Sequence, residues 1–416
     1  MTATVSIVTA KSDRWRWTPL LIALAAWGLS NMDQSFFGYA VPGLMTSFGF
    51  SITSIGLLIS AGFLFSIIVA TLAGSLTDLY GAKWTLPVCL GVSAILVGLQ
   101  GLATVGGVFA GLRVFGYGFS GALSPITNAM VSSAMPARHR PLAIAILACG
   151  YPLGWFAASL IAAPILPVWG WRGIFLAGFA VVPAALLFVV LIPAKARVAA
   201  PVIRPPKASL GAPIAMLFSK PYRRMTIQVG IAFLLYGGAA GGTGFYLPAF
   251  FEQARGYSAA AAAHIVGLSY GVGVIGYVGS ALVSQHLLSR RNTVALWLSL
   301  GAAAFAALIW TRLGPVADVI LFGLTAVFMF GATAILTVYL LELFPEQLRA
   351  TAAAVAGTSA IGLGFVIFPV LTGALQGHLG WSLTFSVTAL PAAVICALLM
   401  FTLPRPETAA PGALTA

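Results

Sequence analysis

Apolar runs long enough to cross a bilayer as helices, separated by short breaks containing polar residues, glycine or proline, account for most of the chain. Crossing the hydrocarbon core takes about 20 residues per helix. The pattern predicts twelve spans, near residues 18–41, 52–77, 84–104, 106–134, 141–165, 172–193, 225–251, 258–285, 293–311, 315–341, 350–376 and 381–403. One long polar gap, 194–224, carries Lys195, Arg197, Arg204, Lys207, Lys220, Arg223 and Arg224 with five prolines and no sustained apolar face. It reads as a linker. The chain thus divides into an N-terminal six-helix bundle over 1–193, a cytoplasmic linker over 194–224 and a C-terminal six-helix bundle over 225–416.

Composition agrees. Of 416 residues, 60% are hydrophobic and only 7% charged, against roughly 25% charged in soluble domains, so a soluble globular protein is excluded. The formal charge of +13 raises nucleic acid as a partner, but the basic residues form neither a face nor a run. They lie between spans, where they orient the chain. With the N-terminus inside, Lys11, Arg14, Arg16, Lys83, Arg138, Arg140, Arg290, Arg291, Arg349, Arg405 and the linker's cations all fall on the cytoplasmic side. The outer loops hold only Arg172, Arg255 and Arg312. The expected location is the cell inner membrane, with both termini cytoplasmic. Cys89, Cys149 and Cys396 stand far apart inside apolar runs, without disulfide or metal spacing.

The two halves repeat. Pro42 answers to Pro248, Gly49-Phe50-Ser51 to Gly256-Tyr257-Ser258, Pro136 and Arg140 to Pro345 and Arg349, and Gly170-Trp171 with Phe175 to Gly380-Trp381 with Phe385, at offsets of 206 to 210 residues. Each half has an even number of spans and starts inside, so the repeats are parallel. The fold class is an all-α membrane protein of twelve transmembrane helices in two parallel six-helix repeats, which places a binding cavity between them near the midplane.

Two glycine patterns, Gly116-x-Gly118-x-x-Gly121 and Gly271-x-Gly273-x-x-Gly276, fit a dinucleotide fingerprint, but neither follows a strand. In apolar helices such small residues permit close helix contact. No Gly-x-x-x-x-Gly-Lys-Ser/Thr loop occurs. No cofactor, metal site or catalytic residue is expected, and the chain reads as no enzyme. His264, two turns into span eight, reads as hydrogen-bonded core.

The segment Gly74-Ser75-Leu76-Thr77-Asp78-Leu79-Tyr80-Gly81-Ala82-Lys83, between spans two and three, resembles the loop signature of the major facilitator superfamily. Arg113 with Gly116, Gly118 and Gly121, and Pro136-x-Arg138-x-Arg140 after span four, are similar to that superfamily as well. Leu79 and Ala82 stand where the loop usually has basic residues, and the second-half counterpart near Gly279-Ser280 lacks the acid. Within the superfamily, Phe119 to Pro125 with Asn128, and Glu342-Leu343-Phe344-Pro345 running to Arg349-Ala350-Thr351, are similar to proton-coupled symporters of aromatic acids and other metabolites. Those symporters usually carry two aspartates in the first span, where this chain has Asp33 alone.

The resemblance implies secondary active transport by alternating access: proton-coupled uptake of a small organic solute, either an organic or aromatic acid or a sugar, by a monomer in contact with membrane lipids. A drug or metabolite efflux antiporter is the alternative, although Gly150-Tyr151-Pro152-Leu153-Gly154-Trp155 only partly matches the glycine-rich run of that class. A receptor or channel is a third reading. Asp33 and Arg113 are the ionisable residues deep in the first half, and an ionisable group in a membrane is functional by default. Counted from the outer span ends they fall at one level, roughly 12 and 10 Å down. Desolvation favours a neutral aspartic acid and a nearby guanidinium favours the anion, so Asp33 is the expected proton carrier and Arg113 its switch; a static pin between spans one and four is the plain alternative. Gln34, Ser124, Asn128, Tyr236, Thr243, Tyr246, Thr333 and Thr337 are the expected substrate contacts on cavity-facing spans. Gly74, Asp78, Gly81, Lys83, Arg138, Arg140 and Arg349 form the expected gating loops.

Overall fold

The computed structural model describes residues 17–136, 139–192 and 211–404, all helical or in turns, with no strand among them. The expectations placed on Lys11, Arg14, Arg16, Arg138, Arg405 and the linker cations Lys195, Arg197, Arg204 and Lys207 lie outside the described residues. The helices are α1 (Trp17–Phe48), α2 (Ile52–Tyr80), α3 (Ala82–Gln100), α4 (Gly106–Gly121), α5 (Leu123–Ala134), α6 (Arg140–Ala148), α7 (Gly150–Ala177) and α8 (Val181–Leu191). The stretch expected as linker holds a short helix, α9 (Gly211–Leu217), and the start of α10 (Arg223–Gly241); then come α11 (Leu247–Gln253), α12 (Ala259–His286), α13 (Arg290–Trp310), α14 (Pro315–Thr325), α15 (Ala332–Leu343), α16 (Glu346–Ala352), α17 (Ala360–Val387) and α18 (Ala389–Thr402).

Eight helical stretches among the described residues are long and apolar enough to cross a membrane. Two of these, Leu142–Leu191 and Gln347–Thr402, each contain a glycine in a non-helical conformation, Gly170 (φ 61°) and Gly380 (φ 70°). A Cβ is strained at positive φ, which is why glycine occupies these bends. The α1 helix and the α4–α5 run, which carry Asp33 and Arg113, are not among the eight.

Matching sequence positions adopt matching local structure. Gly49 (φ 66°) and Gly256 (φ 74°) turn the chain, and the Ser51 and Ser258 side chains then accept hydrogen bonds from the amides of Ser54 and Ala261 to cap α2 and α12. At the opposite end, Pro136 and Pro345 each accept at their carbonyls from residues three and four positions on. Trp171 and Trp381, just past the two bends, donate their indole N–H groups to Ser47 and Gln253.

Small residues set the close approaches. A Cβ on Gly154 would lie 2.6 Å from Asn31 Cβ, so α7 packs tightly along α1. Helices from before and after the linker meet along two seams, α2 against α17 and α7 against α12. On the first, Thr53 Oγ1 donates to the Gly373 carbonyl at 3.0 Å and Ser60 Oγ to the Val366 carbonyl at 2.6 Å. Alanine at Gly56 would bring Cβ within 2.5 Å of the Pro369 carbonyl oxygen. On the second, Gly267 faces Ser159 and Gly271 faces the Phe156 ring. Both seams are tight toward the end that holds the Gly49 and Gly256 turns. Toward the other end, a cleft lies between Leu142 and Ala145 on one side and Ala281, Gln285, Ile335 and Val338 on the other.

Candidate functional site

The centre of the molecule is built on α1 and α4, which cross in antiparallel register. Ser30 and Ser120 share a 2.6 Å hydroxyl contact, and Gln34 Nε2 donates to Ser120 Oγ at 2.6 Å. From that fixed point, three residues up α1 reach Asp33 and three back along α4 reach Tyr117. Phe37 and Arg113 come next as the opposed pair, as their 4.2 Å separation records. Asp33 and Arg113 are therefore offset by about one turn, ~5 Å, rather than level. The single-level expectation ended span one near residue 41, whereas α1 continues through Pro42 to Phe48.

Both ionisable side chains are fully enclosed, at 0% and 1% exposure. Neither carboxylate oxygen of Asp33 has a hydrogen-bond partner, nor do Nε and Nη2 of Arg113. The two charges act on each other electrostatically without forming a hydrogen-bonded ion pair. Arg113 is instead framed by rings: its guanidinium carbon lies 4.2 Å from the centre of Phe37, 4.8 Å from Tyr117 and 6.0 Å from Phe245. A desolvated cation–π contact returns about 2 kcal/mol, while burying an ion costs several kcal/mol. The rings offset only part of that cost, leaving a cation able to gain from an anion brought to it.

Phe245 reaches this point because the helix breaks. After Gly241 the chain passes through Thr243 (φ −120°, ψ −52°) into a 3-10 turn, Gly244–Tyr246, before α11 resumes. The turn pushes the Phe245 ring in among residues from before the linker: Trp155 at 5.7 Å, and Phe37, Phe63 and Tyr117 each at 6.4 Å. Phe63 also stacks on Phe365 of α17 at 4.4 Å. These rings close the seams at mid-height.

The remaining expected contacts are spread more widely. Tyr236 donates to the Phe330 carbonyl at 3.0 Å and meets Thr333 hydroxyl to hydroxyl. Thr333 and Thr337 are half-buried and bond within their own helix, as does Asn128 to the Ser124 carbonyl. The Thr243 hydroxyl turns back onto the Ala239 carbonyl. Tyr246 donates to the Pro369 carbonyl at 2.8 Å, against Gly56, on the tight α2–α17 seam. His264, expected in the core, is exposed on α12.

At the expected gating loops, Gly81 (φ 81°) separates α2 from α3 and bonds back to the Thr77 carbonyl, and a Cβ on Gly74 would meet nothing. Lys83 lies 5.9 Å from the Trp84 ring centre, Arg140 opens α6, and Arg349 donates to the Phe344 carbonyl. The side chain of Asp78 lies outside those described.

Among the described residues, two ion pairs went unanticipated. Arg290 Nε meets Glu342 Oε2 at 2.5 Å, and Arg290 also lines the cleft between Leu142 and Val338. Arg255, in the turn after α11, lies 3.8 Å from Asp318 in the first turn of α14, and Tyr257 donates to the same carboxylate at 2.7 Å. Burial, with Asp318 beside it, pushes the Tyr257 hydroxyl up to about 12. The Gly314-Pro315 start signal ahead of Asp318, an acid in a first helical turn, was the available hint.

A sequence profile described as Major Facilitator Superfamily matches residues 22–360. The chain belongs to that superfamily. It is accordingly a multi-pass membrane transporter and not an enzyme. It is 27% identical to a gallate transporter of Pseudomonas putida, over 91% of this chain and 90% of that protein. It is 26% identical to the 4-hydroxybenzoate transporter PcaK of Acinetobacter baylyi (92% and 90%) and 24% identical to the niacin transporter NiaP of the same species (93% and 93%). Its fold matches a D-xylose-proton symporter with TM-score 0.72 at 18% identity, covering 94% of this chain and 98% of that one. A bacterial homologue of the human lysosomal transporter Spinster, in an inward-facing and unoccupied conformation, matches with TM-score 0.70 at 16% identity (94% and 96%).

Proposed function

We propose that this transporter takes up small aromatic carboxylic acids together with protons, by alternating access between two six-helix bundles in the cell inner membrane. The observation that carries the reading is Arg113, a buried cation with unbonded guanidinium nitrogens and aromatic faces on several sides. A flat ring bearing one carboxylate satisfies both features: the carboxylate completes the guanidinium's hydrogen bonds and the ring stacks where Phe245 now lies. A neutral sugar leaves the charge uncompensated. The substrates named for the similar gallate, 4-hydroxybenzoate and niacin transporters support the class.

Asp33, one turn from Arg113 and without a hydrogen-bond partner, is the proton carrier. Protonation removes the carboxylate's hold on the guanidinium, and Arg113 then accepts the substrate anion. The site is formally neutral when empty or when it holds both proton and substrate anion and charged when it holds only one of them, so sealing it while the bundles rock costs least in those two states. The lysine and arginine distribution puts both termini and the 194–224 linker in the cytoplasm. The tight seams then face outward and the cleft at Leu142 and Val338 faces the cytoplasm. The chain works as a monomer.

The test is proton movement and labelled acid uptake in proteoliposomes with an imposed pH gradient. Wild type is expected to import 4-hydroxybenzoate or nicotinate with inward proton movement, and Asp33→Asn to abolish the gradient-driven component. Outward proton movement on substrate entry would overturn symport in favour of the efflux antiporter. Undiminished gradient-driven uptake by Asp33→Asn would remove Asp33 from the mechanism.

A further inference from the structure

Tyr270, on α12, is completely buried, and among the described residues its hydroxyl is the buried tyrosine oxygen left without a hydrogen-bond partner. Other core tyrosines show what packing alone achieves: Tyr39, Tyr236, Tyr246 and Tyr339 each donate to a backbone carbonyl. An unmet hydroxyl in a dry interior is destabilising, a penalty that a merely structural ring would avoid as phenylalanine.

The ring is held rigidly. It lies between Trp155 of α7, with centroids 4.9 Å apart and planes 25° apart, and Phe330, at 5.5 Å and 11°. Tyr151 and Phe322 meet its edges at 5.9 and 5.3 Å. This packing aims the oxygen at the broken turn between α10 and α11: a Cβ on Gly244 would lie 3.3 Å from the Tyr270 oxygen and 3.6 Å from that of Tyr151. The two hydroxyls are neighbours that act on each other, but they are too poorly placed to form a full hydrogen bond. The next residue in the turn is Phe245, whose ring faces Arg113. Arg113 and the Tyr151–Tyr270 hydroxyls thus flank the Gly244-Phe245 corner, a cation on one side and paired hydroxyls on the other.

We infer that Tyr270, with Tyr151 beside it, is the specificity determinant that reads a ring hydroxyl on the transported acid. The inference rests on the aromatic-acid reading above and adds to it a direction for the substrate: carboxylate toward Arg113, hydroxyl toward α12. When the Phe245 ring withdraws, a hydroxylated ring spans the corner and gives the Tyr270 oxygen the partner it lacks. An acid without the hydroxyl leaves it unmet, and a site built to bond a hydroxyl discriminates strongly against such analogues.

Tyr270→Phe keeps the ring stack and removes only the oxygen, so it is the informative variant. Competition against labelled 4-hydroxybenzoate uptake by unlabelled 4-hydroxybenzoate and benzoate gives a selectivity ratio. Wild type and Tyr339→Phe, which loses a hydroxyl remote from the corner, are expected to favour the hydroxylated acid at least tenfold. Tyr270→Phe is expected to bring the ratio near unity, chiefly by weakening 4-hydroxybenzoate. A ratio unchanged by Tyr270→Phe, or near unity in wild type, overturns the inference alone. Wild-type protein that takes up neither 4-hydroxybenzoate nor benzoate, while still moving another solute, overturns the aromatic-acid reading and this inference with it.

Discussion

The Arg113 guanidinium carbon lies 4.2 Å from the centre of the Phe37 ring, whereas no hydrogen bond joins Arg113 to Asp33. The buried Ser30–Ser120 contact sets this relationship, because it holds α1 and α4 in the register that opposes Arg113 to Phe37. Replacing Phe37 by leucine keeps apolar volume but removes the quadrupole that faces the cation, worth about 1–2 kcal/mol when desolvated. The less compensated cation then gains more from a substrate carboxylate, and half-maximal uptake of a preferred acid should require roughly tenfold less substrate. Titration of initial uptake rates checks this; unchanged affinity would reduce Phe37 to packing.

Gly267 and Ser159 make the closest approach on the α7–α12 seam, and a Cβ on Gly267 would overlap the serine side chain. Gly267→Ala should hold the two helices apart and lower transport at least tenfold, with normal insertion into the membrane. Adding Ser159→Gly to the same chain restores space and should recover most of the rate. Failure of the double variant to recover would show that the seam does not limit the cycle.

The Tyr257–Asp318 hydrogen bond carries a pH signature. The tyrosine hydroxyl is held above its ordinary value of 10.0, at about 12, by burial and by the neighbouring carboxylate. A group whose folded value is raised stabilises the fold fully below its unfolded value and loses that contribution as pH rises through the folded one. The stabilisation should therefore be intact through neutral pH and fall away between about 10 and 12. Thermal unfolding of detergent-solubilised protein should show Tyr257→Phe a few degrees less stable at pH 7, with a shallower alkaline decline than wild type. Equal pH curves would remove this bond from the stability account.

The helical stretches were legible from hydropathy because a helix in lipid must satisfy its backbone internally, leaving long apolar runs punctuated by glycine, proline and charge. The turns at Gly49 and Gly256, the bends at Gly170 and Gly380, and the caps at Ser51 and Ser258 lie at residues that match between the halves in sequence, although the matches did not say which conformation each would take. Asp33 and Arg113 stood out because an ionisable residue within an apolar run is costly. Depth was harder to read, since span one was expected to end near residue 41 whereas α1 runs on through Pro42 to Phe48. Phe245 and Tyr270 carried no sequence signal that separated them from the chain's other aromatic residues.

What the sequence determined by itself was local and compositional: membrane residence, helix positions, internal repetition, superfamily membership and the presence of two buried charges. Each depends on residues close together along the chain or on a signature read in order. The tertiary structure decided which side chains face one another: Arg113 with Phe37, Phe245 between helices from both sides of the linker, Arg255 with Asp318, and the unpartnered Tyr270 hydroxyl with the Gly244 turn. Those pairings depend on interhelical register and on how closely glycines let helices approach, and hydropathy, which averages over residues, does not encode either.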